Sequence, residues 1–266
     1  LDDEQFRKLL AYLDLSFPGY RKVRKGVKKR IGRHMQSFGC RNVTEYSALL
    51  DSNPDVRGQC DLLMKVSISH FFRDRLLWQM LETCYLPLAL SLQPPIFRVW
   101  SAGCAGGEEP YSFHIIWQNL GRKILPLPPL ELLASDADQK SLERAAAGIY
   151  PAASLKEVDQ KLRLDYFESL KAGHLYRIKS DLATGIQWVC HDFEKDPLPG
   201  PFQIIFLRNN LLTYDLEIRT VPALQRILSQ LTTGGLLLIG RNEFLPEPIR
   251  AHYQPLALPY MFQKAC

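Results

Sequence analysis

A mostly parallel, doubly wound α/β sheet of the Rossmann-like kind is the fold this sequence predicts, with a small all-helical module before it and a small antiparallel insertion. Three observations predict it. Residues 97–112, FRVWSAGCAGGEEPYS, run from a β-prone stretch through three glycines into a helical pattern. Further apolar runs at 130–134, 202–207 and 236–239 alternate with helical patterns, as strands covered on both faces do. Nothing in the first 65 residues reads as a strand.

In chain order, residues 2–14 set Phe6, Leu9, Leu10 and Leu13 on one helical face. Val23, Val27 and Ile31 recur every four residues within a basic segment and predict an amphipathic helix with a cationic outer face. Asn42 or Thr44 can cap a third helix through Leu50, and Asn53-Pro54 is a cap and first-turn pair for a fourth, running toward Lys65. An apolar stripe of Phe71, Phe72, Leu76, Leu77, Met80 and Leu81 predicts helix over 69–92, ended by Gln93-Pro94-Pro95. After the strand at Phe97 comes a helix over 109–120, and the strand at 130–134 then ends on Ser135-Asp136. A helix over 138–147 stops at Gly148.

Residues 151–186 break the alternation. Short strands at 176–178 and 186–189 flank a turn there, which predicts the antiparallel insertion, bounded at 162–187. A strand toward Cys190-His191-Asp192, a Pro/Gly turn over 197–201 and the strand at 202–207 follow. A helix over 217–231, the pair Gly234-Gly235 and the strand at 236–239 come next, and the proline-rich end predicts irregular edge strands. The expected division is a helical domain over 1–68 and the sheet domain over 69–266.

Composition bounds the function classes. With 266 residues, 46% hydrophobic and 23% charged, the chain is an ordinary globular one, and no apolar run reaches the roughly 20 residues of a membrane span. It starts at Leu1, so the native N-terminus is expected upstream, and no signal-peptide pattern is visible. Six scattered Cys without a C-x-x-C pair predict reduced thiols in a cytosolic protein, and neither they nor the six His predict a metal site. Residues 21–33 hold eight Lys/Arg and no acid, which leaves the rest of the chain at −3 out of a total of +5. The positive charge is a local device.

The chemistry begins at the glycine turn. A dinucleotide site offers a helix N-terminus to a pyrophosphate, which adjacent acids repel, and here Glu108 and Glu109 stand at that place. S-adenosylmethionine suits the acids better, because it carries an α-ammonium and a sulfonium and no phosphate. The plainer reading is that both acids only complement the helix dipole. In doubly wound sheets the ligand lies across the carboxyl ends of the strands, where Asp136 and Arg208-Asn209-Asn210 also fall. Asp136 can accept from two ribose hydroxyls at once, or it can simply cap the next helix.

These residues resemble the chemotaxis receptor methyltransferases of the CheR type, which esterify protein glutamates with S-adenosylmethionine. The resemblance covers nearly the whole chain. It rests on Phe71-Phe72-Arg73, on Trp100-Ser101-Ala102-Gly103-Cys104 with Gly107-Glu108-Glu109-Pro110-Tyr111-Ser112, and on Ala134-Ser135-Asp136-Ala137-Asp138. Gly148-Ile149-Tyr150, Gly200-Pro201-Phe202, Arg208-Asn209 and Gly234-Gly235 extend it. It implies a class I methyltransferase sheet, with Arg73 and Glu108 at the methionine part of the cofactor, Gly103 in the turn beneath it and Asp136 on the ribose. Asp192 and Phe193 would lie near the adenine, Asn209 and Asn210 beside the sulfonium, and Arg73 and Tyr214 near the methyl-transfer position. The resemblance further implies that the basic helix, with Arg24, Lys25, Lys28 and Lys29, faces an acidic helical substrate, and that the insertion docks on receptors.

The chain departs from the family pattern around the pocket. Ser67-Ile68-Ser69 stands where Asn-x-Thr is usual, Phe193 follows Asp192 where Leu-Leu follows an Asn, and Asn210 follows Asn209 in place of Val. These changes suggest a divergent branch and leave open an acceptor other than a chemoreceptor. A different protein or small-molecule acceptor, and a non-catalytic binding module, are the alternatives. The basic helix also admits a bland reading as a solvated face, and nucleic acid ranks lower because no aromatic platform accompanies it. The reading expects a cytosolic monomer acting on a protein partner, with neither nucleic acid nor membrane insertion.

Overall fold

The structure, a computed structural model, describes every residue except 67–68, 124–125, 194–195, 197–199 and 266. Two compact units make up the chain: Leu1–Val66 with Asn209–Leu224, and Ser67–Arg208 with Gln225–Cys266.

The first unit contains α1 (Asp3–Tyr12), α2 (Arg24–Ser37), α3 (Val43–Ser52) and α4 (Pro54–Met64). The starts of α1, α3 and α4 are set by side chains. Asp2 accepts from the Gln5 N–H at 2.8 Å and Asn42 from the Glu45 N–H at 2.9 Å, while Asn53 accepts from the Asp55 and Val56 N–H groups ahead of Pro54 at the first helical position. Asn42, not Thr44, is therefore the cap of α3. The apolar faces meet in one cluster that holds Phe6, Leu9, Leu10, Leu13, Val27, Ile31, Tyr46 and Leu50. Residues 209–224 join this module by backbone bonds. Ser16 N–H donates to Tyr214 O at 2.7 Å, Leu216 N–H donates to Asp14 O at 2.9 Å, and Leu15 bridges Asp215.

The second unit is built on strands β1 (Phe97–Ala102), β2 (Leu130–Asp136), β3 (Ile149–Pro151), β4 (Phe167–Leu170), β5 (Leu175–Ile178), β6 (Ile186–Cys190), β7 (Phe202–Leu207), β8 (Leu231–Ile239), β9 (Tyr253–Pro255) and β10 (Met261–Lys264). Seven of them form one sheet in the order β6-β2-β1-β7-β8-β10-β9, and β3-β5-β4 form a small antiparallel sheet. The first five strands of the large sheet are parallel, and β10 and β9 close its far edge antiparallel. Trp100, Phe97, Phe113 and Phe206 are fully enclosed in its core. The expected Rossmann-like sheet with a helical N-terminus and a small antiparallel insertion is what the chain forms.

Three local expectations are corrected. Helix over 69–92 begins only at Arg75, since Phe72 and Asp74 take positive φ of 53° and 64°, which a helix cannot contain. From there Arg75–Met80 and Leu86–Ser91 flank a π-helical turn at Leu81–Tyr85. The apolar stripe has a different origin at its start, because Phe71 is buried edge-on between Tyr150 and Phe167 and Phe72 against Trp78. Residues 186–189 do not belong to the antiparallel insertion: β6 pairs in parallel with β2, Ile186 opposite Leu132 and Val189 opposite Ser135. β5 finds its partners in β3 and β4 instead. Lastly, β8 starts at Leu231, ahead of the glycine pair, and absorbs it as a register shift against β7. The predicted turn at 197–201 lies largely outside the described residues.

Candidate functional site

β1 ends in a turn tied to the end of β2. The N–H groups of Gly103 and Cys104 both donate to Ser135 O, at 2.8 and 2.9 Å, and Ala105 N–H donates to Asp136 Oδ2 at 2.9 Å. The other carboxylate oxygen of Asp136 accepts from Asp138 N–H at 2.9 Å, and its carbonyl accepts from His191 N–H at 3.0 Å. Asp138 caps the helix Gln139–Ala147, through Lys140 N–H at 3.2 Å and Ser141 Oγ–H at 2.7 Å. The capping role that Asp136 could have had thus falls to Asp138. A carboxylate offers about four acceptor directions, so Asp136 retains lone pairs beyond its two backbone bonds.

The turn closes at Gly107, where φ is 87° and an ideal Cβ would lie 2.8 Å from the Ala145 Cβ and 2.9 Å from the Trp188 ring. Only glycine satisfies both conditions there. The helix Glu108–Gly121 starts immediately after it. Its two leading acids have opposite surroundings. Glu109 has a partner on each oxygen, accepting from Ser101 Oγ–H at 2.7 Å and from Arg208 Nη1 at 3.1 Å. Glu108 is 6% exposed, yet its Oε1 has only a long 3.4 Å contact from Ser154 Oγ–H, and its buried Oε2 accepts no hydrogen bond among the described residues. Burial pushes the Glu108 carboxyl above the usual carboxylate range, against the opposing pull of hydrogen bonds from its own backbone and from Ser154. A buried carboxylate with an open oxygen is costly until a cation or donor meets it. The α-ammonium of S-adenosylmethionine is such a group, so these residues fit the cofactor.

Arg208 organises the site from the end of β7, a role that the sequence alone does not assign to it. Its side chain is 2% exposed, and it donates to Glu109, to Arg73 O at 3.0 Å and, in a very short contact, to Asp74. Trp78 Nε1–H donates to the same Arg73 carbonyl at 2.9 Å. The left-handed residues Phe72 and Asp74 around Arg73 are held in place by these bonds. The signal available in the sequence was an arginine at a strand end, directly before Asn209.

The remaining expected residues are placed as follows. Gly103, Glu108 and Asp136 share the turn, the backbone carbonyl of Arg73 is tied to it through Arg208 and Glu109, and Asp192 and Phe193 adjoin through the His191 bond to Asp136. Phe193 is half-buried, its ring 6.0 Å from Trp100 and 5.9 Å from His191. Ser69 is half-buried, and Ser67 lies outside the described residues. Asn209, Asn210 and Tyr214 belong to the first unit, where Asn210 Oδ1 accepts from Leu211 N–H at 2.6 Å and the Tyr214 ring stands 5.0 Å from that of Tyr20.

On α2 the basic residues divide into two sets. Arg24 and Lys28 are half-buried and pair with Asp3 at 3.3 and 2.7 Å, and Arg24 also lies over the Phe17 ring at 3.7 Å. Lys25 and Lys29 are exposed, and both sets, with Arg21, Arg33 and the acid Asp3, line an open groove of about 600 Å³. The Lys28 hydrogen bond holds the Asp3 carboxyl below its usual range.

Comparison with known proteins adds an independent line. Residues 67–260 match the family described as CheR methyltransferase, SAM binding domain. A chemotaxis protein methyltransferase of Listeria innocua is 32% identical over 187 residues, covering 70% of this chain and 68% of that protein. Proteins of the same description from Klebsiella aerogenes and Escherichia coli are each 29% identical, over 95% and 91% of this chain and 87% and 85% of their own lengths.

Proposed function

Because the chain belongs to the CheR methyltransferase family, and so is an S-adenosylmethionine-dependent methyltransferase, we propose that its acceptor is a carboxylate, namely a glutamate side chain on an acidic helical segment of a chemoreceptor-like protein. The observation that carries this reading is the cationic groove on α2, whose exposed lysines complement a row of carboxylates. The family relatives described as chemotaxis methyltransferases support the same acceptor. We further propose that the enzyme acts in the cytosol as a monomer. Among the described residues no helix is long and apolar enough to cross a membrane.

When bound, the cofactor supplies a methyl group on a sulfonium, already activated for displacement. The chain's own residues then have three tasks. Glu108 and Arg73 hold the methionine end, Gly103 lets the turn pass beneath it, and Asp136 accepts from the ribose hydroxyls. Asp192 and Phe193 bound the adenine, and Ser69 contributes to cofactor binding. Asn209, Asn210 and Tyr214 are assigned to the sulfonium and the transfer position. No general base is required, because a glutamate with an ordinary pKa of about 4.3 is ionised at neutral pH. An acceptor oxygen takes the methyl group directly, the C–S electron pair stays on sulfur, and the products are a methyl ester and S-adenosylhomocysteine. Alignment of the two reactants and exclusion of water are what the protein contributes.

The test is transfer of a labelled methyl group to an acidic helical receptor peptide, followed by mild alkali. An ester releases the label as methanol. A label that survives alkali shows an N-methyl or other base-stable product and refutes the carboxylate assignment. Asn210, Ser67 and Ser69, which depart from the family pattern, favour a second reading in which the acceptor is a different protein. Label entering a protein other than a chemoreceptor would select it.

A further inference from the structure

After Gly148 the chain enters β3 and then a 3₁₀ turn, Ala152–Leu155, and this strap touches the glycine turn, the segment at Phe71 and the helix start at Glu108. Tyr150 Oη–H donates to Gly106 O at 2.7 Å. Ser154 O accepts from Phe71 N–H at 2.9 Å. Ser154 Oγ–H points to Glu108 Oε1 at 3.4 Å. Tyr150 is nearly enclosed, and burial raises its hydroxyl well above the usual range, so it remains a donor. The backbone of Glu108 is held from another side, where Ser112 Oγ–H donates to Glu108 O at 2.6 Å and accepts from Phe72 N–H at 2.9 Å. Glu108 Oε2 lies so close over Gly106 that an ideal Cβ there would be 2.9 Å away. The carboxylate therefore has one oxygen directed at Ser154 and the other buried and open.

We infer that Ser154 and Tyr150 are positioning residues for the α-ammonium of the cofactor: Ser154 fixes the rotation of the Glu108 carboxylate, and Tyr150 fixes the Gly106 peptide against which it rests. This rests on Glu108 being the partner of the ammonium. A carboxylate whose one oxygen is directed at a donor presents the other in a single direction, which lowers the ordering cost of binding. The long Ser154 contact fits a hydrogen bond that tightens when the counter-charge arrives. The antiparallel insertion, through its first strand, thereby contributes to the methionine end of the site.

The test measures calorimetric binding of two ligands, S-adenosylhomocysteine and 5′-methylthioadenosine, which lacks the amino-acid moiety. Ser154→Ala should weaken the first about five- to tenfold and leave the second unchanged, with Ser154→Thr restoring affinity. Tyr150→Phe should act in the same direction. Loss of the Ser154 bond raises the Glu108 pKa further, so the acid limb of S-adenosylhomocysteine affinity should move to higher pH in Ser154→Ala. Equal loss of both ligands, or wild-type affinity and an unmoved pH profile, overturns the proposal. Wild-type protein that binds 5′-methylthioadenosine as tightly as S-adenosylhomocysteine removes the ammonium role of Glu108, and the proposal with it.

Discussion

Arg208 donates from Nη1 to Glu109 Oε2 at 3.1 Å, which joins the end of β7 to the helix that follows the glycine turn. The same guanidinium meets Asp74, so one cation lies between two largely buried carboxylates. Removing the arginine leaves both acids without their cation, whereas removing one acid leaves the other in place. Arg208→Ala is expected to cost about 3–5 kcal/mol of stability and Glu109→Gln less, read by urea denaturation. Arg208→Lys keeps the charge but not the fork that reaches Glu109, Asp74 and the Arg73 carbonyl together, so it should recover only part of the loss. Full stability in Arg208→Lys would show that charge alone matters there.

Glu108 gives a pH prediction whose sign is fixed by its surroundings. Burial raises its pKa in the folded chain, so the folded state binds that proton more readily than the unfolded state does. Its contribution to the stability of the ligand-free protein is fully present below the unfolded pKa of about 4.3 and is lost as pH rises through the raised folded value. Glu108→Gln should flatten that limb and leave the ligand-free protein more stable at pH 7. The same variant should bind S-adenosylhomocysteine at least tenfold more weakly, because the counter-charge of the ammonium is gone. A ligand-free protein destabilised by Glu108→Gln would contradict the uncompensated burial.

The basic helix separates into charge paired with Asp3 and exposed charge. Lys25→Glu with Lys29→Glu should weaken binding of an acidic helical peptide, by more at low salt than at high, and leave cofactor affinity intact. Arg24→Glu and Lys28→Glu should in addition destabilise the helical module, because they break the Asp3 pairs and the stacking on Phe17. Comparing the two pairs by peptide binding and thermal unfolding separates the effects. A fall in cofactor affinity equal to that for the peptide would end this division of labour.

What the sequence made legible was local. The strand, glycine turn and helix at 97–121, the caps at Asn42 and Asn53, and the stop at Gly148 each depend on residues within a few positions of one another. What it hid was long-range. Arg208 takes its charge partners 99 and 134 residues away, and no spacing rule reaches that far. Phe71 and Phe72 continue a helical stripe in sequence, yet they are buried from a turn, because aromatic contacts with Phe167, Tyr150 and Trp78 outweigh local periodicity. A strand as short as β6 likewise does not encode its partner, and its pairing with β2 emerges only in the folded sheet.

Asp136 and Asp138 offer the sharpest separation of binding from stability, since they are two residues apart and do different things. Asp138 caps a helix, and Asp138→Ala should cost about 1 kcal/mol while leaving S-adenosylhomocysteine affinity within about twofold of wild type. Asp136 instead accepts from Ala105 and Asp138 N–H groups and has lone pairs beyond these for the ribose contact proposed above. Asp136→Ala loses both the turn bonds and the hydroxyl bonds, so affinity should fall by tenfold or more, beyond what its loss of stability accounts for. Calorimetric titration and urea denaturation on the same two variants supply both quantities. If Asp138→Ala lost as much affinity as Asp136→Ala, the helix start rather than the strand-end carboxylate would be what the ligand depends on. If neither variant lost affinity, the ribose contact would lie elsewhere, and the resemblance that assigned it to Asp136 would fail at this position.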